Sequence, residues 1–312
     1  MRVVFFGTPR FAIPSLAALL EAGFEIPLVV TQPDRPVGRS GGPRPSPVAE
    51  VAAAHAIAVE KPEVLRGNTA FFERLAGSRP DAIAVVAYGK LLPSEVLELP
   101  PLGCVNVHAS LLPRHRGASP VAAAILAGDH ETGVVTMKIV PELDSGPLYL
   151  ERRVAIGPHE DAASLSRRLA REGAELLVAT LRGLEEGSLA PRPQVGEPTL
   201  TRLIRREDAR VDWNESAVEI ERRLRAFTPW PGLYAVLGGE RVKLLELEPA
   251  GMIVSAREPG MIWEEWGKPM VVAGGGTALI LKTVQRAGRR PVSGSEFLRG
   301  LPFRPVRFEQ SS

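Results

Sequence analysis

One cysteine, Cys104, stands in 312 residues. It can form no internal disulfide and no cysteine-based zinc site, and nothing in the chain demands an oxidising compartment. The histidines are His55, His108, His115, His130 and His159, and none lies at metal-ligand spacing from another. HExxH and the Walker A pattern are both missing. Gly7-Thr8-Pro9 holds one glycine where a dinucleotide turn wants three, so NAD and FAD are poorly supported. No apolar run approaches the ~18 residues of a membrane span. The apolar start, MRVVFFGTPRF, is also too short for a signal-peptide core, which makes a cytoplasmic protein the expectation.

What is present suits a folded chain: 45% hydrophobic and 24% charged residues exclude global disorder. The length points to two domains. The first part alternates apolar runs (2–6, 26–30, 82–87, 104–107, 134–139) with helical patterns (14–22, 46–55, 119–126, 161–186). Unbroken apolar strands alternating with helices predict a doubly wound α/β fold with a mostly parallel sheet covered on both faces. Proline-rich, aperiodic GSLAPRPQVGEPTLT then reads as a linker. Beyond it, one helix at 216–226 and short strands at 234–237, 241–248, 260–263, 270–273 and 278–284 predict a small β-barrel. The expected division is a catalytic domain at 1–189, a linker at 190–205 and a barrel domain at 206–312.

The net charge is only +2, but its distribution is uneven. Residues 190–312 hold 19 basic and 15 acidic side chains, against 19 and 21 before them. Near the end, Arg286, Arg289, Arg290, Arg299, Arg304 and Arg307 face only Glu296 in the sequence. Such a cluster is either a solvated face or a phosphate-binding surface.

Residues 103–120, GCVNVHASLLPRHRGASP, carry the clearest chemical signal. Asn106 and His108 are two apart on a strand and leave the same face at its end, where ligands of open α/β sheets bind. An amide donor beside an imidazole can polarise a carbonyl and move a proton. Asp144, in PELDSGP, is the expected third member, because strand 134–139 is expected to open the same sheet edge. The bland readings are a structural Asn-x-His and an Asp-Ser-Gly turn. His115, between two arginines, reads as a surface residue, and Trp230 as core packing. The loop at 32–47, QPDRPVGRSGGPRPSP, is long, rich in Gly and Pro, and basic through Arg35, Arg39 and Arg44. It either grips a polyanion or is a surface excursion.

Together, FFGTPRFA, TQPDRPVGR, VVAYGKLLP, LGCVNVHASLLPRHRGASP, GDHETGV, ELDSGP and RAFTPWPG resemble, in order, the methionyl-tRNA formyltransferases. NVHxSLLPxxRG with LDSG is shared by the wider class of formyltransferases that use 10-formyltetrahydrofolate. The resemblance implies a Rossmann-like catalytic domain joined to an OB-like barrel. It also implies transfer of the folate's formyl group to the α-amino group of methionine on initiator Met-tRNA, without a metal. Asn106, His108 and Asp144 match the family's catalytic residues. Ser110, Leu111, Leu112 and Pro113 match its folate-binding segment, and Tyr88, Gly89, Leu91 and Leu92 are implied to wall the pterin. Arg35, Arg39 and Arg44 match the loop that reaches the tRNA acceptor arm, although Ser40-Gly41-Gly42-Pro43 stands where some relatives carry lysines. Arg286, Arg289 and Arg290 would add phosphate contacts from the barrel. In the implied chemistry, Asn106 and a protonated His108 donate to the developing oxyanion while Asp144 helps remove a proton. Initiator tRNA and folate are the expected partners, with no membrane and no obligate protein partner. A formyltransferase acting on a small amine, or a non-catalytic RNA-binding module, are the alternatives.

Overall fold

The computed structural model describes residues 1–36, 41–254, 257–301 and 306–310. Arg39 and Arg304 therefore lie outside the described residues. Two compact units are present. The first contains Met1–Pro120, His130–Ala155 and Leu165–Arg202, and the second Val121–Asp129, Ile156–Ser164 and Leu203–Ser312.

The first unit is built on a seven-stranded sheet. Its elements are β1 (Val3–Gly7), α1 (Ile13–Glu21), β2 (Leu28–Val30), α2 (Pro47–Ala54), β3 (Ala58–Glu60), α3 (Thr69–Gly77), β4 (Ala82–Val86) and β5 (Cys104–His108). After α4 (Pro120–Ala127), whose residues from Val121 on belong to the second unit, come β6 (Glu131–Lys138), β7 (Leu148–Ala155) and the long helix α5 (Ala162–Glu185). The strand order is β7-β6-β5-β4-β1-β2-β3. From β3 to β5 all neighbours are parallel, whereas β6 and β7 run antiparallel to their neighbours. β1 and β4 are buried along their whole length, as their unbroken apolar sequences require. The chain reverses its winding between β1 and β4, so the loops after β1, β2, β4 and β5 share one carboxyl edge. Helix α5 turns Leu165, Leu169, Leu176, Leu177 and Leu181 inward. Its Gly173 lets it seat closely, since a Cβ there would come within 2.7 Å of Val107 on β5.

The second unit begins its own core with α6 (Ala217–Phe227), capped by Ser216 and Glu219 and burying Ile220, Leu224 and Phe227. Antiparallel strands follow: β8 (Leu233–Leu237), β9 (Glu240–Ile253), β10 (Met261–Glu265), β11 (Lys268–Val272), β12 (Thr277–Arg286) and β13 (Val292–Ser293). They end with α7 (Gly294–Arg299) and β14 (Val306–Arg307). The order is β8-β9-β12-β11-β10-β14, with β13 on β12. The sheet curls into a half-barrel, and Glu309 N beyond β14 donates to Val236 O on β8 (2.8 Å). Inside, fully buried Trp213 stacks on Phe308 at 5.2 Å and 7°. The expected linker is not structureless. Leu200 and Thr201 pair with Arg116 and Gly117 in the first unit.

Candidate active site

β5 ends with Asn106 and His108 on one face, while Val107 between them faces α5. The His108 ring is buried, with Nε2 3.0 Å from the His115 carbonyl and Nδ1 3.6 Å from Asp144 Oδ2. A carbonyl only accepts, so Nε2 carries the hydrogen. Burial pushes the imidazole below its ordinary value of 6.5. Asp144 and the His115 carbonyl pull it back up less strongly, and the His115 ring adds to the downward push. Burial thus works against the protonated His108 expected from sequence, and Asp144 works for it. Desolvation disfavours the charged ring, and the carboxylate facing Nδ1 favours it. Asn106 is half-buried, and its amide has no hydrogen bond among the described residues.

Asp144 reaches this pair by a route the strand pattern did not indicate. β6 runs antiparallel to β5, with Lys138 beside Val105 and Val135 beside His108. It therefore leaves the sheet at the end away from His108, not at the carboxyl edge expected from sequence. Residues 139–145 fold back to bring the carboxylate up. Asp144 itself is left-handed (φ 48°), a conformation that aspartate tolerates better than most residues. Its Oδ2 accepts from Gly117 N (2.8 Å), and its carbonyl accepts from Gln194 Nε2 (2.8 Å).

The loop after β5 is largely buried. Ser110 is fully enclosed, its hydroxyl donating to Arg114 O (2.6 Å). Leu112 packs with Val135, Met137 and Leu148, Pro113 is buried, and Leu111 is half-exposed. The surface placement expected for His115 is overturned. The residue is buried and left-handed (φ 59°), its backbone N donates to Thr199 Oγ1 (2.8 Å), and its carbonyl holds His108. Gln194, Thr199 and Thr201 escaped the sequence reading, because nothing local marks a polar side chain in an aperiodic, proline-rich stretch as part of a site.

The carboxyl edge also carries bare apolar surface. Leu91, after β4, is 73% exposed, and Leu143, just before Asp144, is 53% exposed. Leu92 packs partly against the core, and Gly89 (φ 82°) lies so close to the Gln32 amide that a Cβ would collide with it. Tyr88 does not supply a wall. Its ring turns inward onto Phe6 (5.1 Å, edge-on), and burial pushes its hydroxyl up to about 12. The loop after β2 is pinned at its base by Thr31 and Ser46, whose hydroxyls are 2.6 Å apart. It is not wholly irregular, because Arg35-Pro36 pair with Pro43-Arg44. Arg35 and Arg44 stand directly opposite each other, both exposed, an arrangement of like charges that is unfavourable alone. Asp34 is occupied by Lys61 (2.6 Å), and among the described residues Arg35 bonds only the neutral Gln32 (2.8 Å).

In the second unit, Arg286, Arg289 and Arg290 line a groove of about 500 Å³ with Glu296 and Phe297. They are less free than the sequence implied, since Arg286 pairs with Glu240 (2.7 Å) and Arg290 with Glu296 (3.4 Å). Arg307 pairs with Glu258. Trp230 is 55% exposed, which corrects its reading as core packing. Among the described residues no group of three or more His, Cys, Asp or Glu side chains is placed to hold a metal, and no helix is long and apolar enough to cross a membrane.

Residues 1–181 match the formyl transferase family model, and residues 203–302 match the formyl transferase C-terminal domain. The methionyl-tRNA formyltransferase of Koribacter versatilis is 45% identical over 306 residues, covering 98% of this chain and 96% of the relative. That of Thermus thermophilus is 45% identical over 305 residues, covering 98% of each. Among solved structures, the sugar 3N-formyl transferase WlaRD superposes with a TM-score of 0.66 at 15% identity, covering 93% of this chain and 99% of that one. Aquifex aeolicus HypX in complex with tetrahydrofolic acid gives 0.60 at 19% identity, and this chain spans 51% of its length. The structural likenesses speak for the fold, and the full-length sequence matches speak for the family. This chain belongs to the methionyl-tRNA formyltransferase family of formyl transferases.

Proposed function

We propose that the chain transfers the formyl group of 10-formyltetrahydrofolate to the α-amino group of methionine on initiator Met-tRNA, in the cytoplasm, with neither a metal nor an obligate protein partner. The observation that carries the reading is the buried His108–Asp144 pair, 3.6 Å apart, with the Asn106 amide on the same strand face. The surroundings fit a flat heteroaromatic donor. Leu91 and Leu143 offer bare apolar surface, and the exposed backbone at Ala87 and Gly89, both at positive φ, offers peptide groups for its polar edge. Leu92 and the 110–113 segment complete this folate site.

The folate supplies a one-carbon unit already at the formyl level, so the protein needs to supply position and electrostatics. Asn106 donates its amide hydrogens to the formyl oxygen as negative charge develops there. The neutral His108 Nδ1 takes a proton from the attacking amine. Asp144 stabilises the imidazolium so formed, which then returns the proton to the departing nitrogen.

The choice of tRNA over a small amine rests on the full-length match and on the paired Arg35 and Arg44. Two adjacent guanidinium groups are relieved by phosphate. Arg39 of the same loop, and Arg286, Arg289 and Arg290, add further phosphate contacts. In this reading residues 1–189 are catalytic, 190–205 connect, and 206–312 bind tRNA. The test is incubation with charged initiator tRNA and 10-formyltetrahydrofolate, with uncharged tRNA as competitor and His108→Ala as control. Formyl-methionine on the tRNA, lost in the variant, is expected. Near-normal turnover in His108→Ala would overturn the mechanism, and indifference to competitor tRNA would point to a small amine.

A further inference from the structure

Residues 192–201 are tied by hydrogen bonds to both loops that shape the site. Arg192 and Leu148 exchange two backbone hydrogen bonds (2.7 and 2.8 Å). Thr199 Oγ1 accepts from His115 N, Thr199 O accepts from Arg116 N (2.9 Å), and Thr201 Oγ1 accepts from Ser119 N (3.1 Å). Between these anchors stands Gln194. Its Nε2 donates to Asp144 O and to Gly146 O, each at 2.8 Å. Its Oε1 accepts from Arg116 Nε (3.2 Å) and Nη2 (2.6 Å). Both donors and both lone pairs of the amide are used. The reverse orientation would set oxygen against two carbonyls and NH₂ against a guanidinium, so the network admits one orientation only.

The geometry points to Gln194 as a positioning residue for the His108–Asp144 pair, the centre of a strap that locks the Asp144 loop to the loop carrying His115. This inference rests on the proposed proton-handling role of that pair. The reason is mechanical. Asp144 is left-handed and lies on a loop that has folded back from the wrong end of β6, so its carboxylate is not placed by the sheet. Gly117 N fixes one carboxylate oxygen, and Gly117 follows Arg116, the residue Gln194 grips. One side chain therefore holds both halves of the junction between Asp144 and the loop opposite it.

Gln194→Ala and the near-isosteric Gln194→Glu test this in the full-length protein. The glutamate keeps an acceptor for Arg116 but sets an oxygen against the carbonyls of Asp144 and Gly146. The groups facing His108 are Asp144 and His115, and only Asp144 is loosened. Both variants are expected to lower kcat by ~10- to 100-fold, the scale set by loosening a group that orients a proton acceptor, with KM for either substrate changed by less than about threefold. In Gln194→Ala, which adds no charge of its own, loss of the Asp144 attraction should also move the His108 titration, followed by imidazole NMR, to lower pH. Wild-type kcat with an unmoved His108 titration in either folded variant overturns the inference. The NMR readout needs no turnover, so it stands apart from the formylation assay. If His108→Ala still turned over, the proposed mechanism would fall while the His108 titration in the Gln194 variants still reported on positioning.

Discussion

Asp144→Asn isolates charge from shape. An asparagine can keep the left-handed backbone and still accept from Gly117 N through Oδ1, so the loop should hold. What disappears is a negative charge 3.6 Å from His108 Nδ1, on a side chain only 13% exposed. At an effective dielectric of ~20, the attraction between that carboxylate and an imidazolium is roughly 4 kcal/mol. If the proton sits on His108 at the rate-limiting step, that is a ceiling of about three powers of ten in kcat. Solvent at the exposed edge trims the figure, and a loss of ~100- to 1000-fold is expected. The direction of the pH effect follows as well. His108 already lies below 6.5 because burial outweighs Asp144. Removing Asp144 lowers it further, so the acid limb of the kcat profile should move to lower pH even as the plateau falls. Formylation of charged initiator tRNA, measured from about pH 5 to 8, gives both numbers. A plateau within ~3-fold of wild type, or an acid limb that rises, would refute the assignment of the pair as proton acceptor.

Asn106→Ala should lower kcat by ~100-fold or more, because an oxyanion donor acts mainly in the transition state. Folate binding measured by fluorescence quenching should change little, and a loss confined to KM would count against the role. Replacing Arg35 and Arg44 with alanine, with Arg39 added in a triple variant, should raise KM for tRNA and flatten its salt dependence by about one unit of slope for each phosphate no longer neutralised. An unchanged slope would make the hairpin a surface excursion. For stability, a depressed histidine contributes what is fully present above 6.5 and lost as pH falls towards its folded value, because the unfolded chain takes up a proton that buried His108 resists. The unfolding free energy of wild type should therefore fall more steeply below 6.5 than that of His108→Asn, which denaturant titrations at several pH values will show.

Elements written as local periodicity were legible. The apolar runs at 2–6 and 82–87 became β1 and β4, and the leucine pattern of 161–186 became α5. β7, α3 and α7 were not. β7 carries Glu151, Arg152 and Arg153 on an edge strand, which hides its alternation. α3 buries only Phe71 and Leu75, and α7 is six residues long.

The sequence by itself determined which face Asn106 and His108 share, because a strand repeats every two residues whatever surrounds it. It also determined the family, through motifs that survive as letters. The tertiary structure alone decided that β6 runs backwards, that Asp144 nonetheless reaches His108, that His115 is inside and that the Tyr88 ring faces the core. It decided, too, that burial depresses His108, since the cost of charging a ring depends on how much protein stands between it and water. Gln194 meets Asp144 across 50 positions of sequence and Arg116 across 78. A hydrogen bond between groups so far apart along the chain has no period to betray it and exists only once the backbone has closed the distance.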